Sequence, residues 1–448
     1  MIQKLQKIIN NHPLRVLLTF AVFVRVCIAL FYNSISIFPD SQDYINLGEL
    51  ITRLQLENYP GNRTPGYSTL IALANNSLII TVIFQILLGF LNIYLLFDFS
   101  KRRTKSIATA FWITFFTTSF IHYIFFEFAI LTESLTISLV LLIFWFIERF
   151  KLFNSAVSIK YYFILSILLS IIYLIKPLFI YFTLAFALFY FVKNYKQKLT
   201  KIVLKSSAVI LLPFLIYFSW NSFNKKNIGY FTNTFYFGIN LSQTATSFFE
   251  KAPDEDALIR DILVRKRDSL ITFAPRKIPM SVWFAYDELK EKSGLTPQNL
   301  SAELGRISKN LFKKHPDLYA KQVLKSSYLF FTKSGALKWN YQSFKNKYFK
   351  YGLVIIWEYF QIYLLALFNI LFILFAIKKL FQFFKSKIKI YDFNLFVVCI
   401  VLSGALAQGL VVYGSNSRFA FPFLPLIVYF VIINVLDLKS KYFSIKKL

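Results

Sequence analysis

The sequence predicts an all-α polytopic membrane protein: a bundle of about ten transmembrane helices carrying a mostly helical extracytoplasmic domain. Three observations predict it. The 448 residues are 56% hydrophobic and only 16% charged, with a mean hydropathy of +0.54, too apolar for a wholly water-exposed surface. The apolar residues gather in runs of roughly 20, the length at which about 1.5 Å of rise per residue crosses about 30 Å of hydrocarbon. The 54 Phe and 27 Tyr suit lipid-facing and headgroup-level positions, where aromatic rings anchor helices. A membrane barrel would show short alternating segments instead.

Taken in order, spans are expected near 14–37, 77–99, 106–126, 128–148, 160–175, 177–192, 202–222, 351–377, 393–413 and 418–437. The first follows the basic start MIQKLQKIINNHPLR. Its apolar run is too long for a signal-peptide core and no small-residue cleavage site follows, so it reads as a retained signal anchor. The fifth and sixth meet at Lys176-Pro177 and form either two short helices or one kinked span.

Orientation follows from Lys and Arg in short loops, which are in excess on the cytoplasmic side. KRRTK (101–105), residues 149–160, KNYKQKLTK (193–201), KKLFQFFKSKIK (378–389) and the tail from Lys439 share one side only if the fifth and sixth spans are separate. Both termini are then cytoplasmic. Residues 1–222 make an N-terminal membrane module whose first outer loop is 38–76, residues 223–350 an extracytoplasmic domain, and residues 351–448 the C-terminal spans. The net charge of +29 is a matter of topology on this reading, with no nucleic-acid partner. Cys27 and Cys399 fall inside apolar runs, which leaves no disulfide framework or Cys/His metal site. In the outer domain, Thr296-Pro297 reads as a helix start, with Thr as N-cap and Pro at the first helical position. An amphipathic helix is expected from Leu304 to about Leu329.

Several residues can carry chemistry. In FPDSQDY (38–44), Asp40 and Asp43 share a helix face if the helix begins near Pro39. Beside Tyr44 they read either as a general base with a positioning partner, or as an N-terminal helix cap with favourable dipole interactions. RTPGY (63–67) reads as a turn before the second span, with Arg63 offering five donors suited to phosphate and Tyr67 beside it. Glu133, in FAILTESL near the outer end of the fourth span, needs a partner. Arg25, deep in the first span, is expected in an ion pair, with Glu133 as a candidate. His122 and Glu127, without further His or Cys nearby, read as interfacial hydrogen-bonding groups. Lys176 and Arg418 either snorkel to the interface or join the acids. In this topology Asp40, Asp43, Arg63, Glu133, Lys176 and Arg418 all fall at one membrane face.

The set D-S-x-x-Y (40–44), R-x-P-G-Y (63–67), T-E-S-L (132–135), Lys176-Pro177, Asn240-Leu241 and S-R-F-x-F-P-x-x-P-L (417–426) resembles the GT-C superfamily. The likeness is closest to bacterial members of the dolichyl-phosphate-mannose-protein mannosyltransferase family, which includes the lipid A aminoarabinose transferases. It spans most of the chain thinly and is most specific over residues 38–73. It implies inverting transfer of a sugar from a polyprenyl-phosphate carrier to a lipid, glycan or protein acceptor, on the extracytoplasmic face of a bacterial plasma membrane. Asp40 matches the first-loop acid expected to act as base. Many members carry adjacent Asp-Glu there; this sequence has Asp40 and Asp43, so either can be the base. Arg63, Lys176 (where relatives often have Arg-Pro) and Arg418 are implied to bind the donor phosphate, with Tyr44, Tyr67, Glu133 and Asn240 in support. No cofactor is expected. A divalent ion, used by some GT-C oligosaccharyltransferases, is an alternative, with Asp40, Asp43, Asp254, Glu255 and Asp256 as oxygen donors. A polysaccharide polymerase or O-antigen ligase also fits ten spans with one large loop, and His315 is the one His of that loop. A transporter or flippase is the remaining class, with Arg25 the one deep charge.

Overall fold

The computed structural model describes residues 9, 11–332, 343–387, 389–413 and 416–445. Parts of the predicted basic start, outer domain, basic loop and basic tail therefore lie outside the described residues. The described residues are mostly helical, with no strand among them and two isolated β-bridges, Tyr32 with Phe344 and Ser36 with Ala129.

Among the described residues, seven helices are long and apolar enough to cross a membrane. They are α1 (Pro13–Phe31), α4 (Leu78–Thr104), the Pro177–Asn194 segment that contains α9 (Ile180–Asn194), α10 (Leu199–Ile228), the Lys347–Lys385 segment, α18 (Phe393–Val411) and the Arg418–Lys439 segment. The remaining expected spans are the shorter α5 (Ile107–Thr118), α7 (Glu133–Arg149) and α8 (Ile159–Ile175). The chain is an integral membrane protein.

Local sequence explains the boundaries. Ser77 accepts from the Ile80 amide to open α4, and Asp392 from the Leu395 amide to open α18. The α8–α9 junction is a break, as the charge pattern requires. Lys176 is extended (φ −145°, ψ 98°) and Pro177 starts a new turn, because the ring of Pro177 disfavours a helical conformation at the residue before it.

Three expectations need correction. The first span ends at Phe31 rather than 37, since Tyr32 and Ser36 turn to β-bridges. The third breaks after Thr118 and resumes as the five-residue α6 (Ile121–Phe125), and the fourth begins at Glu133 rather than 128. Irregular backbone at membrane depth persists only where protein satisfies it. Gln361, on a π-helical turn (Trp357–Gln361), accepts from the Ile121 amide at 2.7 Å and donates to the Ser119 carbonyl at 2.8 Å. Gln85 of α4 donates to the carbonyls of Glu127 (2.9 Å) and Ala129 (3.1 Å). The amphipathic stretch from Leu304 divides at His315-Pro316 into α14 (Pro297–Lys314) and α15 (Pro316–Thr332), again at the residue before a proline. Thr296 does cap α14, accepting from the Asn299 amide.

Two apolar cores result. The larger is built from the spans. The smaller joins Ile239, Phe249, Leu263, Val282, Leu300, Leu304 and Leu311 in the segment after α10. There α11 (Phe237–Ala245) crosses α14 at a backbone-to-backbone approach: a Cβ on Gly238 would stand 1.7 Å from the Ser301 carbonyl oxygen. Ser301 Oγ also donates to the Phe235 carbonyl, and the Phe235 amide donates to Gly61 at 2.8 Å. These bonds pin residue 236 beside the 61–63 loop.

Candidate functional site

Pro39 opens α2 (Pro39–Thr52), so Asp40 and Asp43 lie on its first turns facing the same way. The terminal cap is Ser41, whose Oγ accepts from the Phe38 amide, so neither Asp serves as the cap. Ser41 Oγ also donates to the Ile130 carbonyl at 2.7 Å, tying the start of α2 to the linker that leads into Glu133. Pro65 and Gly66 begin a short helix, α3 (Pro65–Leu73), rather than a turn. Gly66 is required there: its Cβ would come within 2.6 Å of the Leu174 and Ile175 backbone, next to Lys176.

Six predicted residues from distant parts of the chain meet in one alternating series. Arg63 Nε contacts Asp43 Oδ2 at 3.1 Å and Arg63 Nη2 contacts Asp40 Oδ1 at 2.8 Å. Arg418 Nη1 meets the other oxygen of Asp40 at 2.9 Å and engages Glu133 through Nε (2.6 Å) and Nη2 (3.2 Å). Lys176 Nζ closes the series on Glu133 Oε1 at 3.1 Å. The order is Asp43, Arg63, Asp40, Arg418, Glu133, Lys176, with three charges of each sign. Neither simple snorkelling nor an isolated cap accounts for it.

Exposure separates the acids. The Glu133 side chain is 0% exposed, that of Asp43 16% and that of Asp40 37%. Asp40 is thus the acid that water and solutes reach. Burial raises its carboxyl, but the charges and hydrogen bonds of Arg63 and Arg418 outweigh that and hold it at about 2. Burial likewise favours the neutral form of Arg63, yet Tyr44, Asp40 and Asp43 push its pKa above the ordinary arginine value. Burial pushes the Tyr44 and Tyr236 hydroxyls up.

The supporting residues divide. Arg63 stacks over Tyr44 (5.0 Å to the centroid), Tyr44 packs edge-on against Tyr67, and Tyr67 donates to Gln85 at 3.0 Å. Asn240, by contrast, forms its hydrogen bonds through its backbone, to Tyr236 and Thr244. Its predicted place in the site belongs instead to Tyr236, four residues earlier, which donates to Asp43 at 3.0 Å and lies under Arg63 at 4.9 Å. Asn62 also donates to Asp43, at 2.8 Å. The sequence offered a signal for Asn62, adjacent to Arg63, but none for Tyr236, which arrives through the α11–α14 crossing.

Two further expectations differ from the structure. Arg25 pairs with Glu127, not Glu133: Nε to Oε2 is 2.8 Å and Nη2 to Oε1 2.5 Å, with both side chains nearly wholly buried. Glu127 is therefore a buried ion-pair partner rather than an interfacial group, and His122 is buried between Trp357 (4.0 Å) and Phe421 (5.1 Å). Of the candidate oxygen donors away from α2, Asp254 pairs with Arg260 and Asp256 with Arg306. Among the described residues no cluster of three or more His, Cys, Asp or Glu could hold a metal. An apolar cavity of about 310 Å³ opens two residues beyond Arg418, lined by Ala420, Phe421, Phe330, Glu358 and Asn369. A larger one of about 640 Å³ lies between α9, α10 and α18; neither is lined by Asp40. No family model, curated protein or solved structure matches the chain.

Proposed function

We propose that this is an integral membrane glycosyltransferase moving a sugar from a polyprenyl-phosphate carrier to an acceptor hydroxyl or phosphate, with inversion and with Asp40 as general base. One observation carries the reading: Asp40, the most exposed acid of the series, lies directly between two guanidinium groups. Inverting transfer needs a base beside the acceptor oxygen and positive charge where phosphate departs, with an oxocarbenium-like centre between them. Arg63, Arg418 and Lys176 supply that charge, and the planar guanidinium fork matches phosphate oxygens. The aromatic residues around Arg63 exclude water from one side of the pair. The mostly apolar cavity lined by Phe330, Ala420 and Phe421 suits a prenyl tail.

The excess of Lys and Arg in the short loops supports the reading that the site faces the extracytoplasmic side with both termini in the cytoplasm, and a bacterial plasma membrane is part of the same proposal. The departing phosphate is assigned to Arg63, Arg418 and Lys176, and no metal is included. Transporters tend to carry their ionisable sites at mid-membrane; here six ionisable groups gather instead in the series that joins Asp43, Arg63, Asp40, Arg418, Glu133 and Lys176. The test is transfer from radiolabelled polyprenyl-phosphate sugars in membranes carrying the wild type or Asp40→Asn. Loss of at least 100-fold in rate at equal membrane abundance is expected. Full activity of the variant removes Asp40 from the role, and uptake into sealed vesicles without glycosidic product replaces the enzyme by a transporter.

A further inference from the structure

We infer that Asp40 occupies the seat of the donor phosphate in the resting protein, and that an arriving phosphate frees it to act as base by taking over its bonds to Arg63 and Arg418. The inference rests on the glycosyl-transfer reading and adds an order of events to it. The connectivity of the series carries it. Asp40 is bonded to two arginines and each has a second acid of its own: Arg63 holds Asp43 and Arg418 holds Glu133 through two contacts. Exchanging Asp40 for a phosphate therefore leaves both cations paired and positioned. Asp43 and Glu133 are not exchangeable in this way. Asp43 is held by Arg63, Asn62 and Tyr236, and Glu133 is enclosed between Arg418 and Lys176 without exposure.

The same geometry separates the roles of the two aspartates. Asp43 is a positioning residue that fixes Arg63. Asp40 alone combines exposure with replaceable partners. While paired with both arginines its carboxylate is a feeble proton acceptor, held at about 2. The groups facing it are Arg63, Arg418, Tyr44 and, across the arginines, Asp43, Glu133 and Lys176. Losing both guanidinium bonds to the monoanionic phosphodiester of the donor raises its basicity. In the step that follows, the acceptor oxygen bonds the anomeric carbon as its proton passes to Asp40. The bond from that carbon to the phosphate oxygen breaks, with its electron pair leaving on the phosphate held by Arg63 and Arg418. The protonated Asp40 then returns its proton to water. A resting site with a masked base also spares the donor from wasteful attack by water before it is seated.

The test is binding, not transfer. Full-length protein in phosphatidylcholine nanodiscs is titrated with farnesyl phosphate, with farnesol and inorganic phosphate as arms that separate tail from headgroup. Asp40→Asn removes the competing charge and is expected to bind farnesyl phosphate about tenfold more tightly than wild type, about 1.4 kcal/mol; Asp40→Ser serves as second variant should the first fold poorly. Equal or weaker binding by the folded variants overturns the exchange while leaving the donor reading in place. Equal tightening by Asp43→Asn also overturns it, since net charge alone then explains the gain. Failure of every form to bind farnesyl phosphate overturns the donor reading and the exchange with it.

Discussion

Arg25 and Glu127 neutralise each other within the apolar bundle, and the fit is narrow. A Cβ on Gly89 would stand 2.1 Å from Glu127 Oε1, so α4 carries glycine where the pair must pass. Removing one partner leaves a buried charge uncompensated. Arg25→Ala or Glu127→Ala is expected to destabilise by about 3–5 kcal/mol, measured by thermal unfolding in detergent, whereas an apolar double replacement is expected to cost less than either single. Asp40 makes a different residue-level prediction. Its carboxyl falls from the ordinary 3.8 to about 2, so the stabilising pairing is fully present above about pH 4 and is lost as pH falls through about 2. The difference in Tm between wild type and Asp40→Asn is expected to be constant from pH 7 to 5 and to shrink between about pH 4 and pH 2.

The elements explain how far the sequence could be read. Hydropathy locates the membrane segments, and Lys176-Pro177 announces its break, because proline acts on its immediate neighbour. Asp40, Asp43, Arg63, Glu133, Lys176 and Arg418 were legible as a group once topology placed them at one level. The linker 127–132 was not legible. Its residues are as apolar as the helices around it, and only side chains brought from other elements, Gln85 and Ser41, make its irregular backbone tolerable. The same cause misdirected Arg25 toward Glu133 rather than Glu127. Tyr236 escaped because a crossing of two loop-domain helices, not local pattern, delivers it. At this scale Gly66 is the sensitive point. Gly66→Ala drives a methyl into the Leu174–Ile175 backbone, pushing α3 away from the end of α8. The expected cost is about 1–3 kcal/mol, with the proposed transfer activity falling further than stability because Arg63 and Lys176 separate; comparing the melt with the initial rate checks it.

For the whole molecule, the charge series works as a clasp. It joins the first loop, the fourth and fifth predicted spans and the start of the last, while Tyr236 adds the loop domain. The short α5 has a further consequence. Its 12 residues rise only about 18 Å, against about 40 Å for the 27 residues of α4 beside it. Bilayer thinning along that flank is one way for lipid to match the interrupted span of α5 and the five-residue α6. In a thinned bilayer, the headgroup of the proposed carrier would have less hydrocarbon to traverse there. Reconstitution across a series of acyl-chain lengths is expected to show activity peaking in thin bilayers and declining as lipids lengthen; a flat profile would mean the thinning has no bearing on turnover.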